Sequence, residues 1–176
     1  MSLVGVECNA DRYFFGRLLN DKSIIRKERN DKAVIDGVSI RSKNNFSIGI
    51  IDVDKKKKLP SEFVIVFENP NNQIYKHSSN CQFIILIGPR QFEHWINEFL
   101  KLKLVTIESF GFINFEDFMQ KSKTLNPEKE IKFKSVIDFV FEKINENENH
   151  IQSLKNQLEY ILEKKYQFSL NEFLEI

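Results

Sequence analysis

Two short apolar runs in this sequence end in carboxylate side chains. The run 3–6 is followed by Glu7, and the run 48–51 is followed by Asp52 and, two residues on, by Asp54. Three carboxylates gathered at one place repel one another unless a cation or protons neutralise them. Because Mg²⁺ and Mn²⁺ prefer oxygen ligands, this pattern predicts a metal site formed by Glu7, Asp52 and Asp54.

Such a site requires two strands whose carboxyl ends meet at one edge of a sheet. The segment 46–51 is almost continuously apolar, which is typical of a central parallel strand covered on both faces. Asp52 and Asp54 alternate along the chain, so their side chains leave on one side, and Glu7 on a neighbouring strand would enter the same crevice. The alternative interpretation is that each acid is a solvated residue in a loop after a strand.

The remaining elements follow from hydrophobic periodicity and from turn residues. Apolar runs predict strands at 3–7, 23–27, 46–51, 63–67, 74–76 and 83–87. Helical spacing predicts helices over 13–19, over 91–102 and over much of the chain after 127, while 30–45 is predicted as a short helix or turn. We expect an α/β fold with a mostly parallel central sheet flanked by helices over residues 1–125. Residues 126–176 are expected to form a helical C-terminal extension packed on the same domain.

A few further residues carry a functional alternative beside a structural one. Glu93 and His94 open a helix after the strand 83–87, so Glu93 is either a fourth metal carboxylate or a first-turn acid favoured by the helix dipole. His94 is either a base or ligand, or an exposed side chain. His77 is expected in a loop, and Asp11 is expected to cap the first helix rather than to bind metal.

The one concentrated basic run is Lys55, Lys56, Lys57 and Lys58, directly after the second group of acids. Beside a metal site these lysines would hold a nucleic-acid backbone, a contact that gives affinity without reading sequence. The alternative is a solvated loop that balances the nearby acids. The formal net charge of the chain is only +1, so nucleic-acid binding would need such a local patch.

Composition sets the remaining limits. The chain has 176 residues, of which 41% are hydrophobic and 29% charged, values that fit one globular domain. Cys8 and Cys81 lack the spacing of a structural zinc site and are compatible with a reducing compartment. No apolar stretch approaches the roughly 20 residues that cross a bilayer, and no signal peptide is recognised. We therefore expect a cytoplasmic protein that does not enter membranes.

The first 55 residues resemble the Toprim domain of topoisomerases, primases and OLD-type nucleases. The resemblance lies in the segment Val6-Glu7-Cys8-Asn9-Ala10-Asp11, in the apolar helix behind it and in Asp52-Val53-Asp54. It departs from the family where Cys8 stands in place of a common glycine and where few glycines precede the second group of acids. The resemblance implies a Toprim-like fold in which Glu7, Asp52 and Asp54 gather around Mg²⁺.

The resemblance also implies a function. A small Mg²⁺-dependent nuclease or phosphodiester-transfer protein acting on DNA or RNA is expected, with Glu7 as a metal ligand or as a general base. The alternative is a catalytically inactive Toprim-like binding or regulatory module. Such a module would work with a protein partner or a second copy through the apolar face of residues 151–162. A third possibility is an α/β protein that binds a Mg-nucleotide, although no glycine-rich phosphate loop is present.

Overall fold

A computed structural model describes residues 3–53 and 58–176 of the chain. Its six strands form one sheet in the order β2-β1-β3-β6-β5-β4. The neighbours β2, β1, β3 and β6 run parallel, whereas β5 is antiparallel to β6 and β4 is antiparallel to β5. The strands are β1 Val4–Val6, β2 Ile25–Lys27, β3 Ser47–Asp52, β4 Phe63–Glu68, β5 Asn72–His77 and β6 Gln82–Ile87. The predicted α/β class with a mostly parallel sheet is confirmed.

The helices are distributed over the two faces of this sheet. They are α1 Asn9–Leu18, α2 Asp31–Asp36, α3 Phe92–Leu102, α4 Phe115–Ser122, α5 Ile131–Lys143, α6 His150–Lys164 and α7 Leu170–Phe173. One large core joins α1, α3, α5 and α6 to one sheet face, and a smaller core joins α2 to the other face. Within the described residues, no helix is both long and apolar enough to span a membrane.

The strands β3 and β6 form the buried centre of the sheet. All six residues of β6 are buried, and in β3 only the last residue, Asp52, is partly exposed. Burial on both faces explains why both strands are nearly continuous apolar runs rather than alternating ones. It also means that the chain reaches solvent again just where β3 ends, so a polar side chain appears at that point.

A close approach of α2 to β3 depends on Gly49. A Cβ atom built at Gly49 would lie 2.8 Å from Val34 Cγ1 and 3.1 Å from Val38 Cγ2, both closer than such contacts normally are. The helix α2 passes directly into one turn of π-helix at Gly37–Arg41. The segment predicted as a short helix or turn is therefore a short helix that continues into a wider turn.

The C-terminal helices belong to the main core. The apolar face of α6 is fully buried, with Ile151, Leu154, Leu158 and Ile161 all at 0% exposure. The helix face that was considered for a partner or a second copy is therefore already occupied within the chain. The alternative interpretation, a helix docked on its own domain, describes this segment.

Candidate functional site

The carboxyl ends of β1 and β3 lie side by side and define the candidate site. The strands are in parallel register with Val6 beside Ile50, so Glu7 directly follows β1 next to the end of β3. The chain leaves β1 towards β2 on one side and leaves β3 towards β4 on the other side. Connections that diverge between neighbouring strands open a crevice, which is where open α/β sheets bind ligands.

A hydrogen bond joins the two strand ends through the first predicted acid. The backbone N–H of Asp52 donates to Oε1 of Glu7 over 2.9 Å. Both side chains are partly exposed, so they border solvent rather than the interior. The structure thus brings the Glu7 carboxylate to the backbone of Asp52, which holds one of its oxygens in place.

The first turn of α1 is organised differently from the prediction. The N-cap residue is Cys8, whose sulfur accepts a hydrogen bond from the Asp11 backbone N–H at 3.4 Å. In turn, the Cys8 backbone N–H donates a hydrogen bond to Oδ2 of the Asp11 side chain over 3.1 Å. The expectation that Asp11 itself is the N-cap was wrong, because its carboxylate completes a reciprocal capping box from three residues further on.

Asp11 is a buried carboxylate, with a relative exposure of 3%. Its Oδ1 atom has no hydrogen-bond partner within residues 3–53 and 58–176. Burial, together with the nearby charges of Glu7 and Glu93, raises the pKa of Asp11 to about 7. Burial and the charge of Asp11 also raise the pKa of the Cys8 thiol, so Cys8 is a neutral cap and not a thiolate nucleophile.

Glu93 lies in the first turn of α3, which follows the carboxyl end of β6. Its side chain is 4% exposed and accepts a hydrogen bond from the Ser122 hydroxyl at the end of α4. The charge of Glu93 acts on both Asp11 and Cys8. We call the set Glu7, Asp11, Asp52 and Glu93 the acid cluster.

The two histidines considered for the site contact neighbouring parts of the fold. The His94 ring stacks edge-to-face on Phe115 with centroids 4.8 Å apart, and burial and Arg90 lower its pKa. His77 ends β5 and accepts the backbone N–H groups of Ser79 and Asn80 at Nδ1, each over 3.1 Å. Because β5 is antiparallel, His77 lies at the opposite edge of the sheet from Glu7 and Asp52.

Part of the predicted site falls outside the described residues. Asp54 and the lysines 55–57 lie in the gap between residues 53 and 58. Lys58 is described and exposed, and it borders a groove against α2 together with Asp31 and Lys32. The predicted metal trio and the predicted basic tract therefore remain predictions.

The donor set of the acid cluster matches a hard divalent cation. Carboxylate oxygens are what Mg²⁺ and Mn²⁺ bind, and the strand ends supply them at an edge open to solvent. Within the described ranges, however, no three His, Cys, Asp or Glu side chains are grouped to hold a metal ion together. Glu7 and Asp52 would thus need another oxygen ligand, and Asp54 is the predicted one.

Sequence reasoning missed two members of this neighbourhood. Asp11 lies four residues after Glu7 across a strand-to-helix junction, and the charges of Glu7 and Glu93 act on its carboxylate. That spacing was a usable signal. Ser122 gave none, because it reaches Glu93 only through the packing of α4 against α3.

Comparison of the chain with protein-family models, with curated proteins and with solved structures found no match.

Proposed function

We propose that this chain is a Toprim-like, Mg²⁺- or Mn²⁺-dependent phosphodiester hydrolase acting on DNA or RNA. One observation carries the proposal: Glu7 and Asp52 stand at the carboxyl ends of neighbouring parallel strands, where the connections diverge. Substrates bind at such points in open α/β sheets. The resemblance of the segments around Glu7 and Asp52 to Toprim sequences supports the choice of chemistry.

Each acid has a role in this proposal. Asp52 and Asp54 are metal ligands, and Glu7 is either a ligand or the base that takes a proton from the attacking water. A bound metal would activate water and neutralise charge on the scissile phosphate. The backbone N–H of Asp52 orients one oxygen of Glu7, and buried Asp11, when it is ionised, adds negative potential that favours a cation.

Cleavage of a labelled oligonucleotide in the presence of Mg²⁺ or Mn²⁺ tests the proposal. The variant Asp52→Asn keeps the size of the side chain but weakens a metal ligand, and we expect cleavage to fall by more than about 100-fold. Glu116→Gln removes one charge from an exposed position in α4 and should leave cleavage unchanged. Cleavage that survives chelation of divalent ions, or that persists in Asp52→Asn, would contradict the proposal.

A second candidate function is a binding or regulatory module without catalysis. The observation that favours it is that the part of the chain described here groups fewer than three possible ligands for a metal. In this case the hydrogen bond between Glu7 and Asp52 serves to hold β1 and β3 together. Oligonucleotide binding without cleavage under any metal condition would support this function over the first.

A further inference from the structure

A surface groove of about 230 Å³ runs along α1. One wall is formed by Asn9, Arg12 and Tyr13, which lie on one stripe of α1, and by Lys22. The other wall is formed by the connection between α4 and α5, residues 125–128. Asn9 in its lining lies only two residues after Glu7, so part of the groove is close in sequence to the candidate site.

Two cations of this groove are available for an anionic ligand. Arg12 and Lys22 are exposed, and within residues 3–53 and 58–176 neither lies in a salt bridge. The Lys22 ammonium stands 5.2 Å from the centre of the Tyr13 ring, a cation–π contact that restricts its position. Asn9 and Asn126 add amide donors, and Glu128 is the single acid of the lining.

In two other grooves of the described surface, the acidic side chains in or beside the lining equal the cations in number. In the groove between α1, α5 and α6, Arg17 is paired with Asp138 at 2.6 Å and Lys155 with Glu159 at 3.8 Å. In the groove beside α2, Lys32 and Lys58 share the lining with two aspartates, Asp31 and Asp36. The α1 groove differs because two cations, Arg12 and Lys22, share its lining with only one acid, Glu128.

We propose that the α1 groove binds the sugar–phosphate backbone of a nucleic acid, with Arg12 and Lys22 each contacting a phosphate. The inference rests on the proposed function, because the groove would hold the nucleic-acid substrate whose scissile phosphate reaches the acid cluster. Arginine, lysine and asparagine side chains are the usual donors to phosphate oxygens. The groove lies on the surface rather than in an enclosed cavity, which suits a polymer, whereas a small ligand is usually enclosed.

The charge distribution explains why the groove and the acid cluster work together. Buried and partly buried carboxylates at the strand ends repel phosphates unless a cation is bound there. Arg12 follows Asp11 in sequence, yet Arg12 is exposed while Asp11 is buried, so the first turns of α1 separate positive from negative charge. The backbone would therefore be held by the groove, and only the scissile phosphate would face the carboxylates.

Fluorescence anisotropy of a labelled DNA oligonucleotide of about 16 nucleotides tests this groove separately from catalysis. Binding is measured with the divalent ions chelated, so cleavage does not contribute. We expect Arg12→Ala/Lys22→Ala to bind about tenfold more weakly and to flatten the salt dependence by about 1.4, the effect of two lost single-strand phosphate contacts. The control Lys43→Ala/Lys101→Ala removes the same charge near the opposite edge of the sheet and should bind as wild type does.

Several results would overturn the groove proposal. One is equal binding by the groove variant and wild type, or no binding by wild type. Another is an equal loss of affinity in both double variants. A third is displacement of the DNA by polyglutamate as readily as by unlabelled DNA. A parallel cleavage assay with Mg²⁺ separates the two proposals. If cleavage depends on metal but is the same in the groove variant, only the groove proposal is contradicted. If binding depends on the groove but no cleavage occurs, only the hydrolase proposal is contradicted.

Discussion

Two groups of polar side chains lie near the same edge of the sheet and differ in charge, although each contains one buried atom without a hydrogen-bond partner in the described ranges, Asp11 Oδ1 and His150 Nδ1. Asp52, Ile87 and Asn72 stand in one row across β3, β6 and β5. Asn72 accepts the Trp95 indole N–H over 2.9 Å and donates to the His150 carbonyl oxygen over 3.2 Å. His150 Nε2 lies 3.0 Å from the Trp95 carbonyl oxygen, which can only accept. We call Asn72, Trp95 and His150 the asparagine network.

The acid cluster has the opposite character. Asp11 and Glu93 are buried carboxylates. Burial and the charges of Glu7 and Glu93 raise the pKa of Asp11, and Asp11 Oδ1 has no hydrogen-bond partner in the described ranges. Neutral groups that bond one another stabilise a fold, whereas crowded carboxylates lower its stability. A cost of this kind is retained where the charges serve binding or catalysis, which is why the cluster and not the network is the candidate site.

The largest effect on stability is expected in the asparagine network. The substitution Asn72→Ala leaves the Trp95 N–H and the His150 carbonyl without their partner, so the free energy of unfolding should fall by about 2–5 kcal/mol. Thermal unfolding should shift down by about 5–15 °C, as measured by calorimetry. Metal binding should remain, because none of these groups touches the strand ends of β1 and β3.

The matched control for this prediction is Gln73→Ala. Gln73 is the next residue of β5, and its partly exposed side chain bonds Glu68 and Tyr75. Its loss should therefore change stability little. If Asn72→Ala abolished metal binding at full stability, the distinction between the two polar groups would be wrong.

A smaller effect with a distinct pH signature is expected at Asp11. Its pKa is about 7 in the folded chain and about 3.8 when unfolded, so between these values the folded state holds a proton that the unfolded state has released. The free energy of unfolding therefore falls as pH rises through this window, by up to about 4 kcal/mol. The variant Asp11→Asn lacks this contribution. The free energy of unfolding of the variant minus that of wild type should therefore increase from pH 4 to pH 7 and then stay constant.

Urea titrations at several pH values measure this difference. His150 contributes the opposite slope, because burial lowers its pKa from 6.5 to about 4 and stability is lost as pH falls through that range. Since wild type and Asp11→Asn share His150, their difference isolates Asp11, and Gln73→Ala serves as a variant without a titratable change. A constant difference across this pH range would show that Asp11 is not protonated in the folded state.

Much of the fold could be predicted because its strands are short apolar runs between turn residues. The predicted strands 46–51 and 83–87 match β3 and β6 to within one residue at each end. Central strands are covered on both faces, so nearly all of their residues are apolar and the run is easy to recognise. The π-helical turn after α2 could not be predicted. Val38 of this turn packs on Gly49, which is a tertiary contact that composition does not encode.

The site was less predictable than the fold. Glu7 and Asp52 were found because they directly follow strands, and their hydrogen bond agrees with the expected proximity. Burial of Asp11 could not be derived, because it depends on a cysteine taking the N-cap position and on helices distant in sequence covering the carboxylate. The metal trio, including Asp54, remains a prediction.

Calorimetric titration of Mn²⁺ tests the central claim most directly, that the strand-end carboxylates form a metal site. Wild type is compared with Glu7→Gln/Asp52→Asn, which preserves side-chain size, and each titration is repeated with a short oligonucleotide present. We predict that wild type binds the ion and that the double variant does not, while its circular dichroism spectrum is unchanged. Equal binding by both proteins, or no binding by folded wild type under either condition, would contradict the claim.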